Sequence, residues 1–593
     1  MKLSYLPNGA QNYIDRSDAY LRFIVDKQLT DEALWAKFVE VYRTREDAMD
    51  DGWRGEYYGK MMRGACLAYM CRPDEKLYGV LESTVKALIA SADEMGRIST
   101  YPVDHELCGW DMWCRKYVLV GSLYFYSICK DAAFKEEILS TLRRHLDYIA
   151  ARIGEGKTPV TATSNWYGGM NAASILEPVV EMYKLTREPA YLALAKHIIA
   201  SGGCRDGSVI EAVEKGALPH EWPTTKAYET MSYFEGILAY YELTGEKEYL
   251  DFVVKFSELV AENEITLIGC AGCHGEQFDH AASTQANDVP DKYIMQETCV
   301  TVTWMRLEER LLRATGDMKY ADRIEQSALN ALYGAINIFD QEQYCKEEKA
   351  FLKGVPFDSY SPLVAARRGV GIGGYKKFAS GGYYGCCACI GAAGVALYPL
   401  ASVMQSEEGA SVLFYHAGEI VLPVECGELR LAANGSLASG KLSYVVTAAP
   451  KKEFALSFRI PSWSKSTFIM LNGEKSKCGE SSFTFRRVWN VGDRVDIAFD
   501  LRGKKHILKD KVAFTYGPFV LARDEYKEED FGGKLCLLGP LLLLPVTPTE
   551  GEEVRVLLHT EKGEVLLTDY ASSGKHWREK DSRIAVWQPA VQR

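Results

Sequence analysis

Hydrophobic positions in the first 400 residues recur at helical spacing, in segments that end in polar turns. Residues 176–183, 234–243 and 302–312 are such segments, and each predicts an amphipathic helix. The turns follow five residues, namely Cys71, Cys129, Thr186, Thr244 and Thr315. These positions are 58, 57, 58 and 71 residues apart, and an aromatic residue after each turn predicts the start of a second helix. The pattern therefore predicts a repeated helical hairpin.

A period near 58 residues is too long for the common solenoid repeats, which run at roughly 20 to 50 residues. It fits two helices and a long loop. Five hairpins precede residue 330, and the helix after Cys387 would close a sixth. We therefore predict an (α/α)6-type helical toroid over residues 1–404, with an open helical array as the alternative. Loops gathered at one end of a toroid would form a concave site.

After about residue 405 the hydrophobic positions alternate with a period of two. Strand-like runs of this kind are 411–416, 429–433, 441–447, 454–460, 482–486 and 494–499. Asn-Gly pairs at 434–435 and 472–473 predict hairpin turns between them. We predict a multidomain α + β fold, with an antiparallel β-sandwich over 405–530 and a second small β-region, or an extension of the sandwich, over 531–593. Pro540, Pro545 and Pro548 predict a linker near the second boundary.

Composition and charge narrow the classes of partner. The 593 residues carry a net charge of −11 and no basic cluster, which argues against binding to nucleic acid or to an anionic membrane. The N-terminal residues lack the apolar core of a signal peptide, and no apolar run is long enough to span a bilayer. Sixteen scattered cysteines indicate a reduced, cytoplasmic protein. A homodimer remains open.

Three cysteines, Cys386, Cys387 and Cys389, open an apolar segment that reads as a helix. The first turn of a helix favours thiolates, which are both nucleophiles and soft metal ligands. Glu297 and Cys299 open another helix, and one carboxylate with three thiolates makes a plausible tetrahedral zinc set. Such a closed set of four ligands is typical of structural zinc.

A second cysteine motif, Cys270-Ala-Gly-Cys273-His274, matches a c-type haem attachment site by its letters. We reject haem because that attachment accompanies export, of which the sequence shows no signal. A zinc half-site and simple packing remain alternatives. Glu276 follows at once, and desolvation by Cys273, His274 and Phe278 would suit it to general acid catalysis.

Acidic and aromatic residues cluster in two further loops that precede apolar helices. The candidates for substrate binding are His105, Trp110, Asp111, Asn165 and Trp166, together with His274. Aromatic rings suit stacking on sugars and amides suit hydroxyl groups. Purely structural roles for the tryptophans are equally compatible with the sequence.

Several stretches resemble the β-L-arabinofuranosidase family, glycoside hydrolase family 127 and its close relatives. In the helical part these are 174–178, 226–231, 275–278, 297–299 and the pair Cys386-Cys387. In the β-part they are 459–463, 471–474, Trp489, 492–493 and 516–518. The resemblance implies a six-hairpin toroid with β-sandwich domains, and a retaining exo-glycosidase that removes β-L-arabinofuranose from a small oligosaccharide or glycoside.

By the same resemblance, Glu297, Cys299, Cys386 and Cys387 would hold Zn²⁺. Cys386 would attack the anomeric carbon, and Glu276 would serve as acid and base. The residues after the pair depart from the family's Pro-Pro-Asn sequence, because Ala388-Cys389-Ile390 stands there, so Cys389 could compete as a ligand.

Three other functions stay open at this point. The chain could be a glycan-binding protein with a structural zinc, or a related hydrolase acting on a modified sugar of plant pectin. It could also be a lyase or unsaturated-uronide hydrolase, for which His105 and Asp111 are the acid candidates.

Overall fold

The computed structural model describes most of the chain. The described residues are 2–48, 52–272, 276–287, 295–336, 343–345, 350–352, 357, 360–368, 375–377, 383–425, 427–478, 481–528, 530–575 and 583–592. Within these ranges, no helix combines the length and the apolar character that crossing a membrane requires.

The helices occupy the first 400 residues. In chain order they are α1 Arg16–Ile24, α2 Glu32–Thr44, α3 Glu56–Cys71, α4 Glu75–Ile89, α5 Asp111–Ile128, α6 Ala132–Ala150, α7 Met170–Ala173, α8 Leu176–Thr186, α9 Pro189–Ala200, α10 Val209–Lys215, α11 Ala227–Thr244, α12 Lys247–Asn263, α13 Ala281–Thr284, α14 Thr298–Thr315, α15 Met318–Gln326 and α16 Cys386–Leu400. Short 3₁₀ and π turns join several of them.

Six of these helices form the inner ring of an (α/α)6-type toroid. They are α3, α5, α8, α11, α14 and α16; α16 packs against α3 and thereby closes the ring. Five of them (α3, α5, α11, α14 and α16) are buried over most of their length because the surrounding elements cover them. The predicted turns lie between inner and outer helices, and Asp74, Asp131 and Asp317 cap the outer helices there. The toroid prediction is thus confirmed.

The strands lie mainly after residue 403. They are β1 Ser4–Tyr5, β2 Gln11–Tyr13, β3 Met295–Glu297, β4 Gln343–Cys345, β5 Ala350–Leu352, β6 Tyr360–Pro362, β7 Ala366–Arg367, β8 Tyr375–Lys377, β9 Tyr383–Gly385, β10 Val403–Ser406, β11 Gly409–Val412, β12 Gly418–Val424, β13 Gly427–Ser436, β14 Lys441–Ala448, β15 Glu453–Arg459, β16 Thr467–Leu471, β17 Glu474–Cys478, β18 Ser482–Val488, β19 Arg494–Ala498, β20 Gly503–Leu508, β21 Lys511–Tyr516, β22 Phe519–Asp524, β23 Leu535–Leu537, β24 Leu543–Val546, β25 Arg555–Thr560, β26 Gly563–Asp569, β27 Arg583–Ala585 and β28 Gln588–Gln592.

Two sheets form the predicted β-sandwich. Their strand orders are β1-β10-β11-β15-β18 and β17-β16-β19-β14-β13-β12-β2. Their inner faces share one apolar core, in which Leu456 and Phe458 of the first sheet meet Leu431, Val495 and Ile497 of the second. All pairings in these sheets are antiparallel except β11 with β15. A ten-stranded sheet combines β20–β22 with the tail strands and with β7.

The structure corrects two turn or linker predictions made from the sequence. Asn472-Gly473 forms the predicted tight turn, with φ of +53° and +87°. Asn434-Gly435 was predicted wrongly as a turn, because both residues lie within β13 and pair with β14. Pro545 lies inside β24 and not in a linker. The domain boundaries at 404 and 530 stay predictions; β1 and β2 join the sandwich sheets from the N-terminus.

Candidate active site

The inner helices begin at one end of the toroid. An outer helix returns along each of the first five, and α16, which strand β10 follows, packs against α3 and α14. The starts of α14 and α16 are therefore neighbours, although they are nearly ninety residues apart in sequence. Glu297 is the residue before α14 and Cys386 is the first residue of α16. Two short elements of the chain thus place their polar side chains at a common point.

Four buried side chains meet there, namely Glu297, Cys299, Cys386 and Cys387. One potential ligand atom from each lies within 4.8 Å of all the others. The Sγ atoms of Cys299 and Cys387 are 3.3 Å apart, those of Cys386 and Cys387 are 3.9 Å apart, and Cys387 Sγ is 3.7 Å from Glu297 Oε1. We refer to these four residues as the thiol cluster.

The thiol cluster fits a tetrahedral metal ion. Zn–S bonds of about 2.3 Å imply sulfur–sulfur separations of ~3.8 Å, close to those observed. Glu297 Oε2 is buried and has no hydrogen-bond partner among the described residues. A buried carboxylate oxygen without such a partner is expected where the oxygen coordinates a metal ion. Cys270 and Cys389 are buried but are not members of this group; Cys270 instead donates to Glu297 O at 3.1 Å. Cys273 lies outside the described residues.

The three thiols differ in exposure and in acidity. Cys386 is 7% exposed to solvent, whereas Cys299 and Cys387 are fully buried. Hydrogen bonds from Cys299 and Cys387, aided by the charges of Lys60 and Lys226, hold the pKa of Cys386 well below its usual value despite burial. Burial raises the pKa of both other thiols. Cys386 is therefore the thiolate of the cluster that a ligand can reach.

Glu276 lies in the loop between α12 and α13, at the same end of the toroid. Its side chain is 22% exposed and accepts a hydrogen bond from the buried Lys226 Nζ. Burial raises the pKa of Glu297, and the charge of Glu276 raises it further, so the two carboxylates belong to one electrostatic environment. Glu276 has a φ of +67°, a left-handed conformation that a non-glycine residue rarely adopts.

The two tryptophans predicted to bind substrate lie side by side. The rings of Trp110 and Trp166 are 5.9 Å apart, and Tyr167 contacts both. Trp166 is 37% exposed, and Asn165 beside it is also exposed. The two loops thus bring their aromatic rings together, and substrate binding by Trp110, Asn165 and Trp166 stays a prediction.

The remaining substrate-binding candidates have different surroundings. Asp111 is fully buried and binds Arg115 at 3.0 Å, Ser99 Oγ at 2.5 Å and the N–H of Leu107 at 2.8 Å. His105 is half exposed and lies 3.2 Å from Asp104. His274 lies outside the described residues.

Sequence reasoning gave no role to two buried lysines beside the thiol cluster. Lys60 is 1% exposed, lies 3.1 Å from Glu56, and contacts the ring of Tyr228. Burial raises the pKa of Glu56 to about 7, although Lys60 opposes this effect. Lys226 was noted only within a stretch that resembles the family. The signal available for Lys60 was a helix, α3, that is mostly apolar but carries the charged residues Glu56, Lys60 and Arg63 in its first half.

Two profiles of one glycoside hydrolase family match the chain. The profile of the β-L-arabinofuranosidase GH127 catalytic domain matches residues 15–345, and that of the GH127 middle domain matches residues 411–501. No curated protein matches the chain significantly.

Several solved structures share the fold along the whole chain. A GH127 β-arabinofuranosidase is 16% identical with a TM-score of 0.77, covering 99% of this chain and 98% of its own. A GH127 β-L-arabinofuranosidase from Geobacillus stearothermophilus T6 is 16% identical with a TM-score of 0.75, and both chains are fully covered. A third structure, described as a glycoside hydrolase, is 18% identical with a TM-score of 0.72, covering 100% of this chain and 98% of its own. Because the catalytic-domain profile spans more than half of the sequence, the chain belongs to the β-L-arabinofuranosidase family, glycoside hydrolase family 127, and is a glycoside hydrolase.

Proposed function

We propose that the protein removes a terminal pentofuranose, most specifically β-L-arabinofuranose, from a small oligosaccharide or glycoside in the cytoplasm, with retention of configuration. Cys386 is the nucleophile and Glu276 the acid and base. The observation that carries this assignment is the difference among the clustered thiols. Cys386 combines a lowered pKa with an exposed fraction of 7%, while its two neighbours are fully buried.

Glu297, Cys299, Cys386 and Cys387 would hold a zinc ion in this proposal. When bound, zinc keeps coordinated thiols deprotonated at neutral pH. The chain itself supplies the geometry, because the starts of α14 and α16 hold the four side chains together. Lys60 and Lys226 add positive charge that favours the Cys386 thiolate.

The reaction has two steps. In the first, Cys386 Sγ forms a bond to the anomeric carbon, the glycosidic C–O bond breaks, and Glu276 gives its proton to the departing oxygen. In the second, Glu276 takes a proton from water, the water oxygen attacks the anomeric carbon, and the C–S bond breaks. Lys226 Nζ donates a hydrogen bond to Glu276 Oε2 and so orients the carboxyl group that acts in both steps. Trp110 and Trp166 provide a stacking surface for the sugar, and His105, Asn165 and His274 are further proposed contacts. Asp111 was predicted to bind substrate, but it is fully buried and its carboxylate is bound to Arg115 and to the backbone of Leu107.

A panel of nitrophenyl pentofuranosides and pentopyranosides, with metal analysis on the same sample, tests the proposal. We expect release of nitrophenol from the β-L-arabinofuranoside and about one zinc per chain. Turnover of another sugar in the panel would instead indicate a related hydrolase. Zinc without turnover of any sugar would favour the alternative that the buried, closed ligand set suggests, a glycan-binding protein with a structural zinc.

A further inference from the structure

A second glutamate, Glu264, lies behind the loop that carries Glu276. It follows the last residue of α12, and its N–H donates to Val260 O at 2.9 Å. Its side chain is completely buried. A buried carboxylate is costly unless its oxygens receive hydrogen bonds, so its partners explain why it is there.

Those partners are three consecutive backbone N–H groups of the Glu276 loop. Glu264 Oε2 accepts from Asp279 N at 3.1 Å and Ala281 N at 3.0 Å, and Oε1 accepts from His280 N at 3.0 Å. The His220 ring lies nearby, with Nδ1 3.9 Å from Glu264 Oε1. The carboxyl group therefore binds the chain itself. Burial raises the pKa of Glu264 to about 7, and the three backbone hydrogen bonds oppose that rise.

The loop needs such support because its backbone is strained at two residues, Glu276 before the contact and His280 within it. Glu276 and His280 both have a φ of +67°, which costs on the order of 1–3 kcal/mol per non-glycine residue unless surrounding contacts hold it. A second attachment lies between them, where Phe278 N donates to Thr225 O at 2.7 Å. Glu264 thus fixes the end of a segment that begins, three residues earlier, with Glu276.

We propose that Glu264 is a positioning residue for Glu276. Its carboxylate fixes residues 279–281 and thereby sets where the Glu276 carboxyl group stands relative to the thiol cluster. This inference rests on the proposed acid and base role of Glu276. Displacement of a reacting group by about 1 Å can cost ~10²-fold in rate, so a side chain without contact to the sugar can control the acid step.

The test is Glu264→Gln, compared with Glu276→Gln on two β-L-arabinofuranosides. The 2,4-dinitrophenyl glycoside has a leaving group that needs no proton, whereas the methyl glycoside needs one. For Glu264→Gln we expect kcat/KM to fall ~10²-fold on the methyl glycoside and less than about 5-fold on the dinitrophenyl glycoside. A purely structural role would lower both values equally. Glu262→Gln, an exposed position on the same helix, is the matched control and should leave both unchanged.

The outcomes separate this inference from the function on which it rests. If Glu276→Gln shows the selective loss and Glu264→Gln does not, the positioning role is overturned and the acid role stands. If Glu276→Gln affects both substrates equally, the proposed function fails and the inference fails with it. If Glu264→Gln does not fold, Glu264→Asp replaces it in the test. The aspartate keeps the carboxyl group but is one methylene shorter, so it cannot reach the three N–H groups equally well. We expect the same selective loss on the methyl glycoside. Equal losses on both substrates would then overturn the proposal.

Discussion

The two ends of the toroid use buried glutamates in opposite ways. At the end where the inner helices finish, a cavity of about 540 Å³ is lined by arginines and glutamates. There Glu177 lies 2.8 Å from Arg310 and 3.3 Å from Arg306. Burial alone would raise the pKa of Glu177, but the charges of these guanidinium groups lower it to about 2. At the end where the helices begin, burial and the charge of Glu276 raise the pKa of Glu297.

Glu177 and Glu297 are similarly buried, at 6% and 2% exposure, so burial does not explain why their pKa values shift in opposite directions. The groups beside each carboxyl explain it. Glu177 has permanent cations from α14, whereas Glu297 faces thiols and a second carboxylate. The first arrangement stabilises the ring by itself, and the second is suited to a cation that is brought from solution.

The largest effect is expected for Cys386→Ser. Loss of the nucleophile should lower kcat by at least ~10⁴-fold on an aryl β-L-arabinofuranoside, because a hydroxyl is a far weaker nucleophile than a thiolate. Circular dichroism should show an unchanged fold. Cys536→Ser, a half-buried thiol in β23, is the control and should retain native turnover. Activity of Cys386→Ser within tenfold of native would contradict the nucleophile assignment.

Metal removal should have the next largest effect. Dialysis against a strong chelator should abolish most turnover and lower Tm, because an ion present at about a thousandfold its Kd stabilises the folded state by about 4 kcal/mol. Zinc should restore both quantities and magnesium neither, since thiolates select soft ions. Glu297→Gln should reduce zinc content in the same assay. A chelated protein that keeps native Tm and turnover would exclude a functional metal in the thiol cluster.

At the opposite end, Arg310→Met should change stability and not activity. Removal of Arg310 takes one partner from each of Glu177 and Glu242 and leaves them Arg306 and Lys184. Breaking buried pairs in this way costs about 3–5 kcal/mol in unfolding free energy. We expect kcat/KM to stay within about twofold of native. Lys184→Met, at a position that is a quarter exposed, is the control and should cost at most about 1 kcal/mol. Loss of activity in folded Arg310→Met would show that the two ends are not independent.

The smallest effect is the pH dependence contributed by Glu177. The Glu177 carboxyl has a pKa of 4.5 in the unfolded chain and of about 2 in the folded protein. Its contribution to the free energy of unfolding is therefore complete above pH 4.5 and is lost as the pH falls toward 2. Urea unfolding at pH 4.5 and 3.5 measures it. The native protein should lose about 1 kcal/mol more than Glu177→Gln over this interval. An equal loss in both proteins would mean that Arg306 and Arg310 do not hold Glu177 in its charged form.

Much of the fold was predictable because it follows from local periodicity. The 3.6-residue pattern and the polar turns gave the helical hairpins, and the period of two gave the sandwich strands. The thiol cluster was also within reach, because glycine-preceded cysteines and Glu297-x-Cys299 both stand at helix starts. Asn434-Gly435 shows the limit of local signals, since the pairing with β14 overrides its turn preference.

The sequence by itself determined the hairpin repeat, the change from helix to strand near residue 405, and the residue types able to hold a metal or attack a sugar. Tertiary structure alone decided which groups face one another. It brought Lys226 to Glu276, set Glu264 beneath residues 279–281, and carried β1 and β2 into the sandwich sheets across some four hundred residues. The reason is physical: periodicity records which face of an element is buried, whereas charge, pKa and backbone support depend on partners that are distant in the chain.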